Sequence, residues 1–154
     1  MAFGNLLKPE AVKVVTSVTS KKRLLQEIGD LVQVAHDIHS GIVTEALMAR
    51  EALGPTGVGH GVALPHARLD GIKTVMGVFV LLDKPIDFDA VDRQPVDIAF
   101  ALFAPEEAGV EHLKALALVS RTLRDASVCS KLRANPDAST LFAILNESKP
   151  AKAA

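Results

Sequence analysis

The run Thr74-Val-Met-Gly-Val-Phe-Val-Leu-Leu82, followed after a Pro- and Asp-rich interval by Val96-Asp-Ile-Ala-Phe-Ala-Leu-Phe103, decides the fold class. Both runs are short, nearly continuously apolar and bounded by Pro85, Pro95 and Pro105, as expected for strands covered on both faces. Residues 61–64 form a shorter run that Pro65 ends, and the Val- and Thr-rich residues 11–18 read as an earlier strand. Outside these runs the period changes. From Ser20, a plausible N-cap, apolar Leu24, Ile28, Leu31 and Ala35, with Leu25 and Val32 beside them, follow the 3–4 spacing of an amphipathic helix. A second helix is expected over 42–53, closed by Gly54-Pro55. After the strands, residues 109–126 place Leu113, Leu116, Ala117, Ser120 and Leu123 on one stripe, and shorter helices are expected over 128–134 and 139–147. Helices, then strands, then helices predict an α/β fold, with a single mixed β-sheet sandwiched between helices on both faces. No linker divides the chain, so residues 1–148 read as one domain and 149–154 as a flexible tail.

Composition narrows the function. The chain has 154 residues, 49% of them hydrophobic and 23% charged, with a net charge of −1. Such a chain can bury roughly 70% of its unfolded surface, which excludes disorder as its default state. With 17 basic against 18 acidic residues, no Trp, no Tyr and six Phe, it lacks both the charge and the stacking platforms of a nucleic-acid binder. The lone Cys129 cannot form an internal disulfide and sits in an apolar-periodic stretch, where a buried structural thiol is expected. The N-terminus has no basic segment leading into a long apolar run, and no stretch approaches the ~18 apolar residues of a membrane span, so no membrane insertion and a cytoplasmic location are expected. Charge is nevertheless uneven. Asp83, Asp87, Asp89, Asp92, Asp97, Glu106, Glu107 and Glu111 face only Lys84 and Arg93 between residues 83 and 111. These are either solvated loops or a docking surface for a basic partner.

The stretch that ordinary packing does not account for is Gly54-Pro-Thr-Gly-Val-Gly-His-Gly-Val-Ala-Leu-Pro-His66-Ala-Arg68. It is no phosphate-cradling Walker loop, lacking Gly-Lys-Ser/Thr, and no dinucleotide fingerprint, because its order is helix, glycines, strand, histidine. Pro65 fixes its own φ and pushes Leu64 into extended geometry, delivering His66 at the end of a strand with little freedom. Free N–H groups in Gly-rich backbone can face phosphoryl oxygens. A neutral imidazole is already a nitrogen nucleophile, and phosphoryl transfer demands mainly in-line positioning and charge stabilisation. Arg50, Arg68 and His112 are the available helpers. On spacing alone, a Gly- and Pro-rich turn with one histidine is more often a structural turn than a phosphoryl-transfer site.

The pattern G-x-G-x-G-x-A-x-P-H resembles the active-site signature of phosphotransferase-system IIA proteins of the fructose/mannitol type. Arg50-Glu51 before the glycines, the later Asp97-Ile-Ala-Phe-Ala-Leu run and His112-Leu-Lys-Ala-Leu-Ala-Leu-Val-Ser-Arg121 match the same family in the same order, over nearly the whole chain. The length, the Pro85-to-Pro95 segment and the absence of fused transporter regions look most like the nitrogen-regulatory branch. Pro55 stands where Ser is common in the family, and His60 where Asn is common. The resemblance implies that His66 accepts a phosphoryl group from a phosphorylated HPr-like carrier. It also implies that His112 hydrogen-bonds that group or orients His66, and that Arg50 offsets phosphate charge. No metal, nucleotide or other cofactor is implied, because the donor is itself a phosphohistidine. Partners would be the carrier and regulated targets such as transporters or sensor kinases.

Two alternatives stand beside this one. A sugar-specific IIA subunit would use the same histidine to relay phosphate to a separate IIB transporter component. A metal-dependent hydrolase would instead gather His36, His39, His66 and His112, the first pair being spaced i and i+3 near a helix end, where cations also have a purely structural reason to sit. His60 reads as an exposed loop residue, and Asp70 is a ready salt-bridge partner for Arg68.

Overall fold

The computed structural model describes residues 3–147. Two short 3-10 turns, Phe3–Asn5 and Pro9–Ala11, lead into β1 (Val12–Val15), α1 (Lys21–His36) and α2 (Ser40–Glu51). Then come β2 (Gly57–Gly59), β3 (Val62–Ala63), β4 (His66–Leu69), β5 (Met76–Ile86) and β6 (Val96–Pro105). The chain closes with α3 (Val110–Arg124), α4 (Ala126–Arg133) and α5 (Ala138–Glu147). The strands form one mixed sheet in the order β1-β5-β6-β3-β2, with β4 paired to β6 beyond β3. β1 runs parallel to β5, β5 antiparallel to β6, and both β3 and β4 parallel to β6. The expected α/β architecture is therefore the observed one. β5 and β6 are buried continuously from Met76 to Leu82 and, apart from Asp97, from Val96 to Ala104, so helices and turns cover both faces of the central strands.

The core forms around this central pair. Phe100 packs edge-on against Phe79 and Phe3, with ring centroids 6.1 and 5.5 Å away. Its ring lies over Gly77, where a Cβ would come 2.5 Å from Cε1, so the strand needs a residue without a side chain there. Ser20 caps α1, its Oγ accepting from the Arg23 N–H at 3.2 Å, and Asp125 and Asp137 cap α4 and α5 the same way. Cys129 is buried, its thiol donating to the Leu123 carbonyl, and burial pushes its pKa up, as befits a structural thiol.

Several boundaries differ from the sequence reading. The expected strand over 11–18 shortens to four residues, because a 3-10 turn over Pro9–Ala11 precedes it and the chain bends at Thr16-Ser17 after Val15. Pro85 does not end β5. The register with β6 shifts between Leu81 and Ile86, so the missing N–H falls where the ladder is already broken, and Pro85 is exposed. The main difference concerns His66, which opens β4 instead of closing a strand. Pro65 interrupts the backbone ladder only as a donor. Its carbonyl still accepts from the Leu102 N–H at 2.9 Å, and the chain resumes pairing with β6 at His66. The six-residue tail expected at 149–154 lies outside the described residues.

Candidate functional site

The glycine-rich turn is built as a tight hairpin. β2 and β3 pair antiparallel, and His60 between them takes φ 57°, the left-handed conformation that Asn, Asp and His tolerate best among residues with side chains. The turn is held from two directions. The His60 N–H donates to Asp92 Oδ2 at 3.0 Å, and its carbonyl accepts from Arg133 Nη2 at 2.9 Å, Arg133 being also paired with Asp97. At the other end, Glu51 accepts from the Thr56 N–H at 3.0 Å and from the Thr56 hydroxyl. The Glu51 side chain is almost wholly buried and pairs with Lys21 Nζ at 2.9 Å, while Lys21 lies 4.7 Å over the Phe88 ring. Gly57 sits against Ala90, where a Cβ would come 2.8 Å from the Ala90 backbone.

This frame delivers His66 to the edge of a cleft of about 480 Å³ lined by Ala46, Arg50, Leu53, Arg68 and His112. His66 is half-buried, and its Nδ1 lies 2.9 Å from the Leu64 carbonyl oxygen. A carbonyl can only accept, so Nδ1 carries the proton and Nε2 keeps its lone pair. The tautomer is thus set by a backbone contact that Pro65 holds in place.

His112, in the first turn of α3, is 5.6 Å from His66 between ring centroids, with the rings tilted by 51°. It is 7% exposed, and its Nδ1 is buried with no hydrogen-bond partner. Burial holds its pKa below the ordinary 6.5, and the nearby His66 and Arg68 push it the same way. The site therefore contains a neutral imidazole with an unused polar atom beside the free ring nitrogen of His66. Arg50 reaches the cleft from the last turn of α2, its Nη1 donating to the Gly54 carbonyl at 2.9 Å.

The fold thus brings His66, His112 and Arg50 together, with Arg68. It does not bring in the other histidines. His60 lines a separate cleft with Val58, Leu64 and Ser120. His39 caps α2, its Nδ1 accepting from the Gly41 N–H at 3.0 Å, and His36 ends α1 with its Nε2 buried and unpartnered. Among the described residues no three His, Cys, Asp or Glu side chains converge on a possible metal position, so the four-histidine grouping does not form. Nor does Arg68 pair with Asp70. Its Nη1 donates to the carbonyls of Pro105 at 3.4 Å, Glu106 at 3.0 Å and Ala108. For Glu51, read only as part of the Arg50-Glu51 match, and Arg68, read as a helper or a partner of Asp70, the sequence does not show the contacts each makes. Glu51 needs a partner five residues on, and Arg68 needs partners about forty residues on.

The family described as "Phosphoenolpyruvate-dependent sugar phosphotransferase system, EIIA 2" matches residues 5–148. A nitrogen regulatory protein of Bradyrhizobium diazoefficiens is 45% identical over 145 residues, covering 94% of this chain and 95% of its own length. The nitrogen regulatory protein of Escherichia coli is 38% identical over 97% of this chain and 92% of its own. The crystal structure of nitrogen regulatory protein IIA-Ntr from Neisseria meningitidis superposes with a TM-score of 0.83 at 39% identity, covering 93% of this chain and 98% of its own.

Proposed function

The chain belongs to the EIIA 2 family of the phosphoenolpyruvate-dependent sugar phosphotransferase system, and from that premise we propose that it is a phosphocarrier with a regulatory output. His66 accepts the phosphoryl group from a phosphorylated HPr-like carrier, and partner proteins distinguish the loaded from the unloaded state. Residues 1–148 act as one IIA-type domain, working in the cytoplasm; no helix among the described residues is long and apolar enough to cross a membrane.

One observation carries this reading. His66 is tied to a backbone carbonyl through Nδ1, which leaves Nε2 as the nucleophile in a cleft that also holds His112, whose Nδ1 has no hydrogen-bond partner. In the transfer, the Nε2 lone pair forms the new P–N bond as the donor's P–N bond breaks, and that bond's electron pair returns to the donor imidazole. Nδ1 keeps its proton, and the positive charge of the phosphorylated ring is met by the Leu64 carbonyl. His112, held neutral by burial, supplies a hydrogen bond to a phosphoryl oxygen without bringing a second full charge to the site. Its place in the first turn of α3 favours both the neutral imidazole and the incoming negative charge. Arg50, bound to the Gly54 carbonyl, adds positive potential at the cleft mouth. Exchange between two imidazoles is close to balanced, which suits a protein that reports the phosphorylation level of its donor. Added phosphoryl charge beside the exposed Glu106, Glu107 and Glu111 would change which partners can approach.

The family's description as a sugar phosphotransferase system favours a second reading, a sugar-specific IIA subunit that hands the group on to a IIB component. The nitrogen regulatory names of the relatives favour the first.

The test is incubation of the full chain with an enzyme I-type kinase, an HPr-like carrier and labelled phosphoenolpyruvate. The expected result is an acid-labile, alkali-stable label on the wild type and none on His66→Ala. Label that survives the substitution refutes the site. Onward transfer to a fructose- or mannitol-type IIB protein would move the assignment to the second reading.

A further inference from the structure

Arg68 stands two residues after His66 on β4, so the two side chains project from the same face of the strand. It lines the same cleft as His66 and His112. Yet its position is set from outside the cleft, by the segment that follows β6. Nη1 alone faces three carbonyl oxygens there, those of Pro105, Glu106 and Ala108, more acceptors than its two hydrogens can fully serve. Among the described residues, Nε and Nη2 have no hydrogen-bond acceptor.

Beyond the packing of Ala108 against the core, the segment so held has few other hydrogen bonds. The Ala108 N–H donates to the Pro105 carbonyl at 3.0 Å, and the Leu113 N–H reaches the Gly109 carbonyl only at 3.4 Å. Gly109, at the N-cap of α3, makes no side-chain cap, and nothing packs where its Cβ would be. Three residues later comes His112. The guanidinium is therefore the main hydrogen-bonding tether of the loop that places the second histidine.

We infer that Arg68 binds the phosphoryl group of the transfer site, strapping the loop over 105–109 to β4 through Nη1 and taking the phosphoryl oxygens of His66 with the donors left unused. The inference rests on the phosphocarrier reading given above. A phosphoryl group on Nε2 is an anion placed beside a cation with two free edges, and charge-assisted bonds of this kind are roughly twice as strong as neutral ones. Because Nε and Nη2 are unoccupied, no existing bond need break for the contact to form. The guanidinium then bridges the phosphoryl group and the loop, and phosphorylation tightens the backbone over 105–113. This segment bears exposed Glu106, Glu107, Val110, Glu111 and Leu113, so the state of a recessed histidine is expressed on a surface that a partner can touch.

Hydrogen exchange of the full chain, with and without prior phosphorylation, tests this, using the wild type, Arg68→Gln and Arg68→Lys. Intact mass reports in each sample whether one phosphoryl group was added. In the unmodified proteins, exchange at the Ala108 and Leu113 amides should be about tenfold faster in Arg68→Gln than in the wild type, with partial recovery in Arg68→Lys, which retains a cation without the fork. Phosphorylation should slow the same amides in the wild type and leave them unchanged in Arg68→Gln. Equal slowing in Arg68→Gln, or faster exchange in the phosphorylated wild type, overturns the bridge. Equal exchange in the unmodified wild type and Arg68→Gln overturns the tether. A wild type that takes no phosphoryl group overturns the site reading itself, and the mass measurement distinguishes that failure from the other two.

Discussion

At His66 a single backbone contact distinguishes the two ring nitrogens. The Leu64 carbonyl takes Nδ1–H, Pro65 fixes the geometry between them, and Nε2 keeps its lone pair, the nitrogen proposed to accept the phosphoryl group. His112 differs in kind, because it is buried, lacks a partner on Nδ1 and is neutral. If it hydrogen-bonds the phosphoryl group, His112→Ala should still be labelled but transfer about 10²-fold more slowly, as for loss of one preorganised donor. A stopped-flow transfer rate equal to the wild type would remove it from the site. The same burial has a consequence for stability. His112 and His36 both titrate below 6.5 in the folded chain. Between that lower value and 6.5 the unfolded chain binds more protons, so stability rises with pH through this window and is lost as pH falls from about 6.5. The thermal midpoint should therefore drop between about pH 7 and about pH 5, and His112→Gln should flatten the drop. A flat wild-type profile would mean that neither imidazole is held neutral. His66 was legible in the sequence because Gly and Pro leave local marks. The partners of Arg68 were not, because they lie on a loop that only the pairing of β4 with β6 brings alongside.

Among the elements, the β2–β3 hairpin depends most on a contact from elsewhere. Glu51, the last residue of α2, holds Thr56 through both its N–H and its hydroxyl, and draws in Lys21 from the first turn of α1. Glu51→Ala removes this junction, leaves the Thr56 N–H without its acceptor and leaves Lys21 with only the more distant Asp89. The expected loss in urea unfolding is about 2–3 kcal/mol. A loss below about 0.5 kcal/mol would class the junction with surface ion pairs. Sequence patterns placed α1 with its Ser20 cap, α2 and the three C-terminal helices to within a few residues, since caps and 3–4 spacing are local signals. Pro65, Pro95 and Pro105 bound strands as expected, but Pro85 does not end β5, and the strand after Pro65 was missed. Pro85 sits inside β5 where the ladder is irregular, and Pro65 separates β3 from a further strand whose first residue is His66.

Taken together, the sheet and its helices act as a rigid mount for one cleft. Apolar runs identified β5 and β6 and their double-sided burial, which is enough to give the fold class. They could not give the strand order, because β1 pairs with β5 across more than sixty intervening residues, and nothing local records that crossover. Part of the acidic excess between residues 83 and 111, read from sequence as a possible docking surface, is used internally. Asp92 holds the His60 turn, Asp97 pairs with Arg133, and Asp89 lies 3.7 Å from Lys21, while Glu106, Glu107 and Glu111 stay exposed near the cleft. The central claim is that this mount presents one nitrogen of one histidine to a phosphoryl donor. Long-range proton–nitrogen NMR of the phosphorylated, nitrogen-15-labelled chain tests it most directly, because the two phosphohistidine isomers give different ring-nitrogen patterns. The expected result is a single phosphohistidine at His66, bonded through Nε2, with Nδ1 still protonated. Phosphate on Nδ1, or on any residue other than His66, would contradict it.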